Sequence, residues 1–171
     1  GPKEVTAGEI VIQAKYFVVS TGSYAVAPPV PGLDQVPYLT NETIFENRVR
    51  PEHLIIIGAG PAGLALARCL AQRGVDALLL EAGSSAGWSW ANMPRNISLL
   101  SPWKVNHLPG TKTTLHDQHK MHACHEFAAY LRDYADDNRL RVQTGVQVKS
   151  VRRRKGVFEL TTSAGPRKAT T

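Results

Sequence analysis

Gly58, Gly60 and Gly63 stand in G-x-G-x-x-G spacing inside GAGPAG, and a carboxylate, Glu81, closes the later apolar run VDALLLE. Residue types at this spacing suit the grip of a dinucleotide. The first glycine allows a tight turn, the second lets the backbone approach a pyrophosphate, and the third lets a helix lie close on a strand. An acid about twenty residues past the loop bonds ribose hydroxyls. It also repels a 2′-phosphate, and AGSSAG behind it supplies no arginine, so FAD or NAD fits better than NADP.

A second concentration of reactive side chains lies in HDQHKMHACHE. His116, His119, His122 and His125 recur every third residue, with Asp117, Cys124 and Glu126 among them. Imidazole and thiolate are zinc or copper ligands, and His122 and His125 could share a helical face. The spacing fits no standard metal template, so the histidines read as an exposed loop and helix cap, and no metal is assigned.

The elements that must position the glycines and Glu81 surround them. LIII (54–57) is a continuous apolar run, expected of a strand buried on both faces of a parallel sheet. PAGLALARCLAQRG reads as a helix, with Pro61 tolerated in its first turn and Gly74 as its stop. Its N-terminal amides and dipole favour a phosphate. VDALLLE is the second strand. Together these make a Rossmann-like α/β unit.

The flanks are less usual. EIVIQ and YFVVSTG read as strands, and SYAVAPPVPGLDQVPY as an extended connector. A short helical turn follows within 39–53, with Thr40 or Asn41 as its cap. After Glu81 come about forty irregular residues, a length that in a compact domain tends to be functional. An amphipathic helix, HEFAAYLRDYADDN, then presents Phe127, Tyr130, Leu131 and Tyr134 to the core. LRVQTGVQVKSVRRRKGVFELTTSAG reads as three β-segments. A β-meander in the crossover slot characterises flavoproteins with two dinucleotide-binding domains and favours FAD over NAD.

Composition sets outer limits. At 171 residues the chain can bury a real core. Cys69 and Cys124 form no close pair, which argues against a disulfide framework and fits a reducing, cytoplasmic setting. No stretch has the length and apolarity of a membrane span. Of the net charge of +6, residues 139–171 hold nine Lys/Arg against one acid. The densest part, KSVRRRKG, has no interleaved aromatics for base stacking, so it reads as a solvated hairpin with no nucleic-acid partner.

The motifs GAGPAGLALARCLAQRG, LLEAG, GWSW, LLSPWKVNHLPG, EFAAYLRDYA and TGVQVKSV carry a resemblance. Through them residues 54–171 resemble the FAD-binding half of flavin-containing monooxygenase-like proteins. The resemblance implies that Gly58, Gly60 and Gly63, with Pro61 and Ala62 between them, hold the FAD pyrophosphate. It places Glu81 and the adjoining Ala82 at the ribose, and Gly87, Ser89 and Trp90 along the flavin side. Val148 would reach the adenine through its backbone. Trp88 and Trp103 are open between flavin contact and core. Residues 9–67, through AKYFVVSTGSYAVAPPVPGLDQVPY and PEHLIIIGAGP, are similar to mercuric reductase and dihydrolipoamide dehydrogenase relatives, where such a segment leads from the FAD domain into the NAD-binding domain.

The expected organisation is therefore a β segment and proline-rich connector over 1–53, with an FAD-binding Rossmann-like domain over 54–171. YFVVSTG is expected to fill a place in the parallel sheet. The expected function is the FAD-binding module of a flavin-dependent NAD(P)H oxidoreductase of monooxygenase type. Lacking a second glycine fingerprint, it is expected to need a partner NAD(P)-binding domain, and a sheet edge left open would favour a homodimer. No C-x4-C redox pair is present, and no catalytic base stands out. A non-catalytic nucleotide-binding domain and an NAD-binding domain of a disulfide-reductase-like flavoprotein stay open as alternatives.

Overall fold

In the computed structural model, which describes residues 3–18, 26–40, 42–48, 53–111 and 118–170, the chain begins with a hairpin. Strand β1 (Lys3–Ala7) pairs antiparallel with β2 (Ile10–Ala14), so EIVIQ is a strand with an unanticipated partner before it. Residues 16–18, the start of YFVVSTG, form no strand, and its remainder lies outside the described residues. The helical turn expected before the glycine loop is a 3-10 turn, Thr43–Glu46. The hydroxyl of Thr40 accepts the Glu42 and Thr43 amides at 3.2 and 3.3 Å, while Asn41 lies outside the described residues.

The central unit follows the expected order. Strand β3 (Leu54–Ile57) leads into helix α1 (Pro61–Gln72), which returns to β4 (Ala77–Leu80). The two strands pair in parallel, Leu54 with Ala77 through Ile57 with Leu80. Helix α1 ends as Gly74 predicts. Gly74 takes φ +70°, its amide bonds the Ala71 carbonyl, and the Val75 amide bonds Leu70. These are the paired bonds of a Schellman cap, which satisfy carbonyls that the helix leaves unpaired.

A short helix, α2 (Trp88–Ala91), interrupts the irregular stretch. The long amphipathic helix is α3 (Cys124–Asp137), and it leads into β5 (Arg141–Gln143), the third parallel strand. The C-terminal stretch holds one strand more than expected. Strands β6 (Val148–Arg154), β7 (Val157–Thr162) and β8 (Gly165–Thr170) form a separate antiparallel meander. The basic run is the exposed β6–β7 hairpin, and Glu159 across the ladder pairs with Arg152 at 2.7 Å and Lys168 at 3.6 Å.

Alternation along the parallel strands divides the core in two. Ile56, Ala77 and Leu79 face one cluster with Leu64 and Ala67 of α1, Trp103, and Phe127, Tyr130, Leu131 and Tyr134 of α3. Leu80, with Ile55 and Leu78 beside it, faces the other cluster, which contains Val146, Val151 and Leu160. The second cluster also takes in Leu33 and Val36, so the connector is not merely extended. The Pro31 carbonyl accepts the Val151 amide at 3.0 Å. Gly32, at φ +82°, lies so near Val151 that any Cβ would overlap that residue's carbonyl oxygen. The sheet is thus a middle layer between helices and meander.

One local expectation needs correcting. LIII is not buried throughout, because Ile57 is 41% exposed. Among the described residues β3 pairs with β4 on one side only, so its outer edge lacks the cover of a central strand.

Candidate functional site

The glycine loop leaves β3 through a turn that only its first residue adopts easily. Gly58 has φ +99°, a region disfavoured for residues with a Cβ, and its amide donates to the Leu80 carbonyl at 2.8 Å. Gly63 serves the close approach of helix to strand. A Cβ there would overlap the Gly58 carbonyl oxygen and press on Ile56. Gly60 is different: it is extended, and a Cβ on it would meet nothing within 4 Å. The space beside Gly60 is therefore open.

That opening lies at the N-terminus of α1. No side chain caps this helix, Pro61 at its start has no amide hydrogen, and the first helical bond runs from the Leu64 amide to Gly60. The orphan donors at a helix start favour an anion, and the helix dipole adds to this. Of the loop side chains, Ala62 is exposed and Pro61 half-buried, leaving the backbone as the gripping surface.

Glu81 ties the second strand to the loop. Its Oε2 accepts the Ala59 amide at 2.8 Å, and its Oε1 accepts the Gly83 amide at 2.8 Å. Its main chain is fixed to the crossover, with its amide donating to Gln143 at 2.9 Å and its carbonyl accepting from Val146 at 2.8 Å. Each carboxylate oxygen has a lone pair beyond the one used here, so the group can still accept ribose hydroxyls. Val148 opens β6 two residues past Val146, whose amide bonds Glu81.

Gly87 is joined to the same loop. Its amide donates to the Ala59 carbonyl at 2.9 Å, and it has φ +70° with Leu131 packed closely against it. The structure thereby brings Gly58, Gly60, Gly63, Glu81 and Gly87 together. Ala82 and Ser89 are exposed near them. Trp90 is half-buried, with its ring set edge-on to Phe127 at 4.9 Å, against the helical core. Trp103 is core: it is fully buried and packs edge-on to Tyr130 at 4.5 Å.

Sequence reasoning passed over two residues. Ala59 is not among the residues that the loop motif singles out, yet its amide and carbonyl join Glu81 to Gly87. Gly83 carries the Trp88 indole directly on its backbone. Small residues at these positions were the available signal, and nothing in their spacing sets them apart.

The irregular stretch is held from beneath by α3. The Tyr130 hydroxyl accepts the Leu108 amide at 2.6 Å, and the Tyr134 hydroxyl donates to the Pro109 carbonyl at 2.6 Å. Burial, with Tyr130 and Cys69 adding to it, pushes the Tyr134 hydroxyl up to about 12. At the head of α3, Glu126 accepts the Ala123 amide at 2.8 Å and faces Nδ1 of buried His122 at 3.2 Å. The Ala123 amide is the main cause holding the Glu126 carboxyl below its ordinary range. His125 is exposed, and His116 and Asp117 lie outside the described residues. Among the described residues no three His, Cys, Asp or Glu side chains gather as a metal site.

The fold and loop define a dinucleotide-binding α/β domain of the Rossmann type. Residues 55–171 match a family model described as pyridine nucleotide-disulphide oxidoreductase, and residues 1–100 match a second model of the same description. The chain belongs to the pyridine nucleotide-disulphide oxidoreductase family, whose membership implies FAD with NAD(P)H. It is 43% identical over 67 residues to a mercuric reductase of Streptomyces lividans, covering 39% of this chain and 14% of that one. A flavin-containing monooxygenase from Stenotrophomonas maltophilia superposes with TM-score 0.59 at 25% identity, over 68% of this chain and 34% of its own. The bacillithiol disulfide reductase of Staphylococcus aureus shares the fold, with TM-score 0.60 at 23% identity over 68% of this chain and 36% of its own. Both resemblances read from the sequence stand, and the chain spans at most about a third of these relatives. No helix among the described residues is long and apolar enough to cross a membrane.

Proposed function

We propose that this chain is the FAD-binding module of a flavin-dependent NAD(P)H oxidoreductase of monooxygenase type. The observation that carries the reading is the junction of Glu81 with the glycine loop at Ala59, beside open space at Gly60. Pyrophosphate oxygens would take the amides of Ala62 and Gly63, which have no side-chain cap to displace. Glu81 would accept the ribose hydroxyls and disfavour a 2′-phosphate. Gly87, Ser89 and Trp90 would border the flavin side, and Val148 the adenine.

The residues fit the group, because the loop presents backbone where a phosphate must come close and a carboxylate where a diol must bond. Bound FAD supplies the redox chemistry, and the protein supplies binding, orientation and electrostatics. Cys69 and Cys124 are both free, and neither belongs to a C-x4-C pair, which favours monooxygenase type over dithiol exchange within this chain. NAD(P)H would be presented by a partner domain or a second copy, in a cytoplasmic setting.

The mercuric reductase likeness favours one other reading, a pyridine-nucleotide domain of a disulfide-reductase relative. Calorimetric titration with FAD, NAD+ and NADP+ separates the two. The FAD reading expects FAD tightest and NADP+ weakest. NAD+ binding tighter than FAD would give the site to pyridine nucleotide.

A further inference from the structure

We propose that the outer face of the β6–β7–β8 meander is a docking surface for an acidic polypeptide segment lying extended across the strands. The face is separate from the dinucleotide loop. Arg154 closes β6 at the end away from Val148, about 20 Å along at the rise of a strand.

Alternation sorts the side chains of the meander. Val151, Leu160 and Ala169 are buried on its inner face, where Phe158 also packs, 5.4 Å from the Arg153 guanidinium. On the outer face Arg152, Glu159 and Lys168 form one cross-strand row, and Arg154, Val157 and Thr170 form the next. Arg154, Lys155, Val157, Glu159 and Lys168 line an open groove there of about 630 Å³.

The charges on this face do not balance. Glu159 takes Arg152 at 2.7 Å and Lys168 at 3.6 Å, so one carboxylate serves two cations. Among the described residues Arg154 and Lys155 have no acidic partner. The turn keeps these two cations together. Arg154 pairs with Val157 in register, which leaves Lys155 and Gly156 as a two-residue turn at φ +48° and +81°. Such turns favour Asn, Asp or Gly at the first position, and this one carries a lysine.

Three features select a polypeptide as the occupant. The first is spacing: alternate residues of a strand lie about 7 Å apart, and next-but-one strands about 10 Å. Arg152, Arg154 and Lys168 thus match carboxylates on alternate residues of an extended chain. The second is composition. Val157 is the one apolar residue lining the groove and no aromatic lines it, so bases have nothing to stack on and lipid gains no anchor. The third is Glu159, which repels a continuous phosphate backbone, whereas the carboxylates of a polypeptide can be spaced around it.

The probe is a fluorescein-labelled octapeptide alternating Glu and Ser. It is titrated into the whole chain at about 50 and 300 mM NaCl, with binding read by anisotropy. The proposal expects binding at the lower salt that weakens at the higher. Arg154→Thr with Lys155→Asn respects strand and turn preferences and removes two exposed charge pairs. It should weaken binding about two- to thirtyfold. Arg73→Gln with Arg132→Gln removes the same charge from the end of α1 and from α3, and should change the affinity by less than about twofold. Circular dichroism checks that both variants fold. Equal loss in the two double variants, or no peptide binding at either salt, would overturn the proposal. So would an oligothymidylate or a phosphatidylserine vesicle that binds more tightly than the peptide, because the face would then belong to phosphate.

Discussion

The Ala59 amide donates to Oε2 of Glu81 at 2.8 Å, so the acid that should receive the ribose also fastens the loop that should receive the phosphates. Binding and loop geometry are therefore coupled through one carboxylate. Charge-assisted bonds of this kind are worth about 1.5–3 kcal/mol each. Glu81→Gln should weaken FAD binding by roughly ten- to a hundredfold on that scale. A titration of FAD followed by flavin fluorescence checks this.

Two glycines of the same loop should respond differently to the same change. Gly63→Ala drives a Cβ into the Gly58 carbonyl oxygen, and overpacking of this sort costs about 1–3 kcal/mol of stability. Gly60→Ala meets open space and leaves φ at an ordinary −81°, so the fold should be unaffected while FAD binding falls. Urea denaturation paired with FAD titration distinguishes the two outcomes.

Gly83 and Trp88 should behave as a coupled pair. Gly83→Ala alone must displace the indole, whereas in a Trp88→Ala background the new methyl has room. A double-mutant cycle of unfolding free energies should give a coupling of about 0.5–3 kcal/mol, as for residues in direct contact.

Acid stability should carry a signature of Glu126. Its carboxyl is held below the ordinary 4.5 in the folded chain, chiefly by the Ala123 amide. Lowered in the folded state, it contributes stability that is present above pH 4.5 and lost as pH falls through the folded value. Glu126→Gln should therefore lessen the loss of stability below pH 4.5 and lower stability at pH 7. Thermal unfolding at pH 3.5, 4.5 and 7 reads both effects.

The sequence made the central unit legible because its signals are local. Gly58, Pro61, Gly63 and Gly74 each answer to a backbone demand within a few residues, and Phe127, Tyr130, Leu131 and Tyr134 to helical period. What escaped it depends on distant contacts. Strand β1 needs β2 to form, and KEVTA alone has no strong period. The docking of Pro31 and Gly32 on Val151 joins parts of the chain that no local pattern relates. Ala59 and Gly83 enter the site for the same reason: their importance lies in what reaches them across the fold.

The most direct test of the dinucleotide site is the visible spectrum of the purified chain after incubation with FAD and gel filtration. The released cofactor is identified by chromatography. A retained flavin spectrum that yields FAD, and its loss in Gly60→Ala with the fold intact, is the predicted result. A colourless chain that takes up no FAD would contradict it.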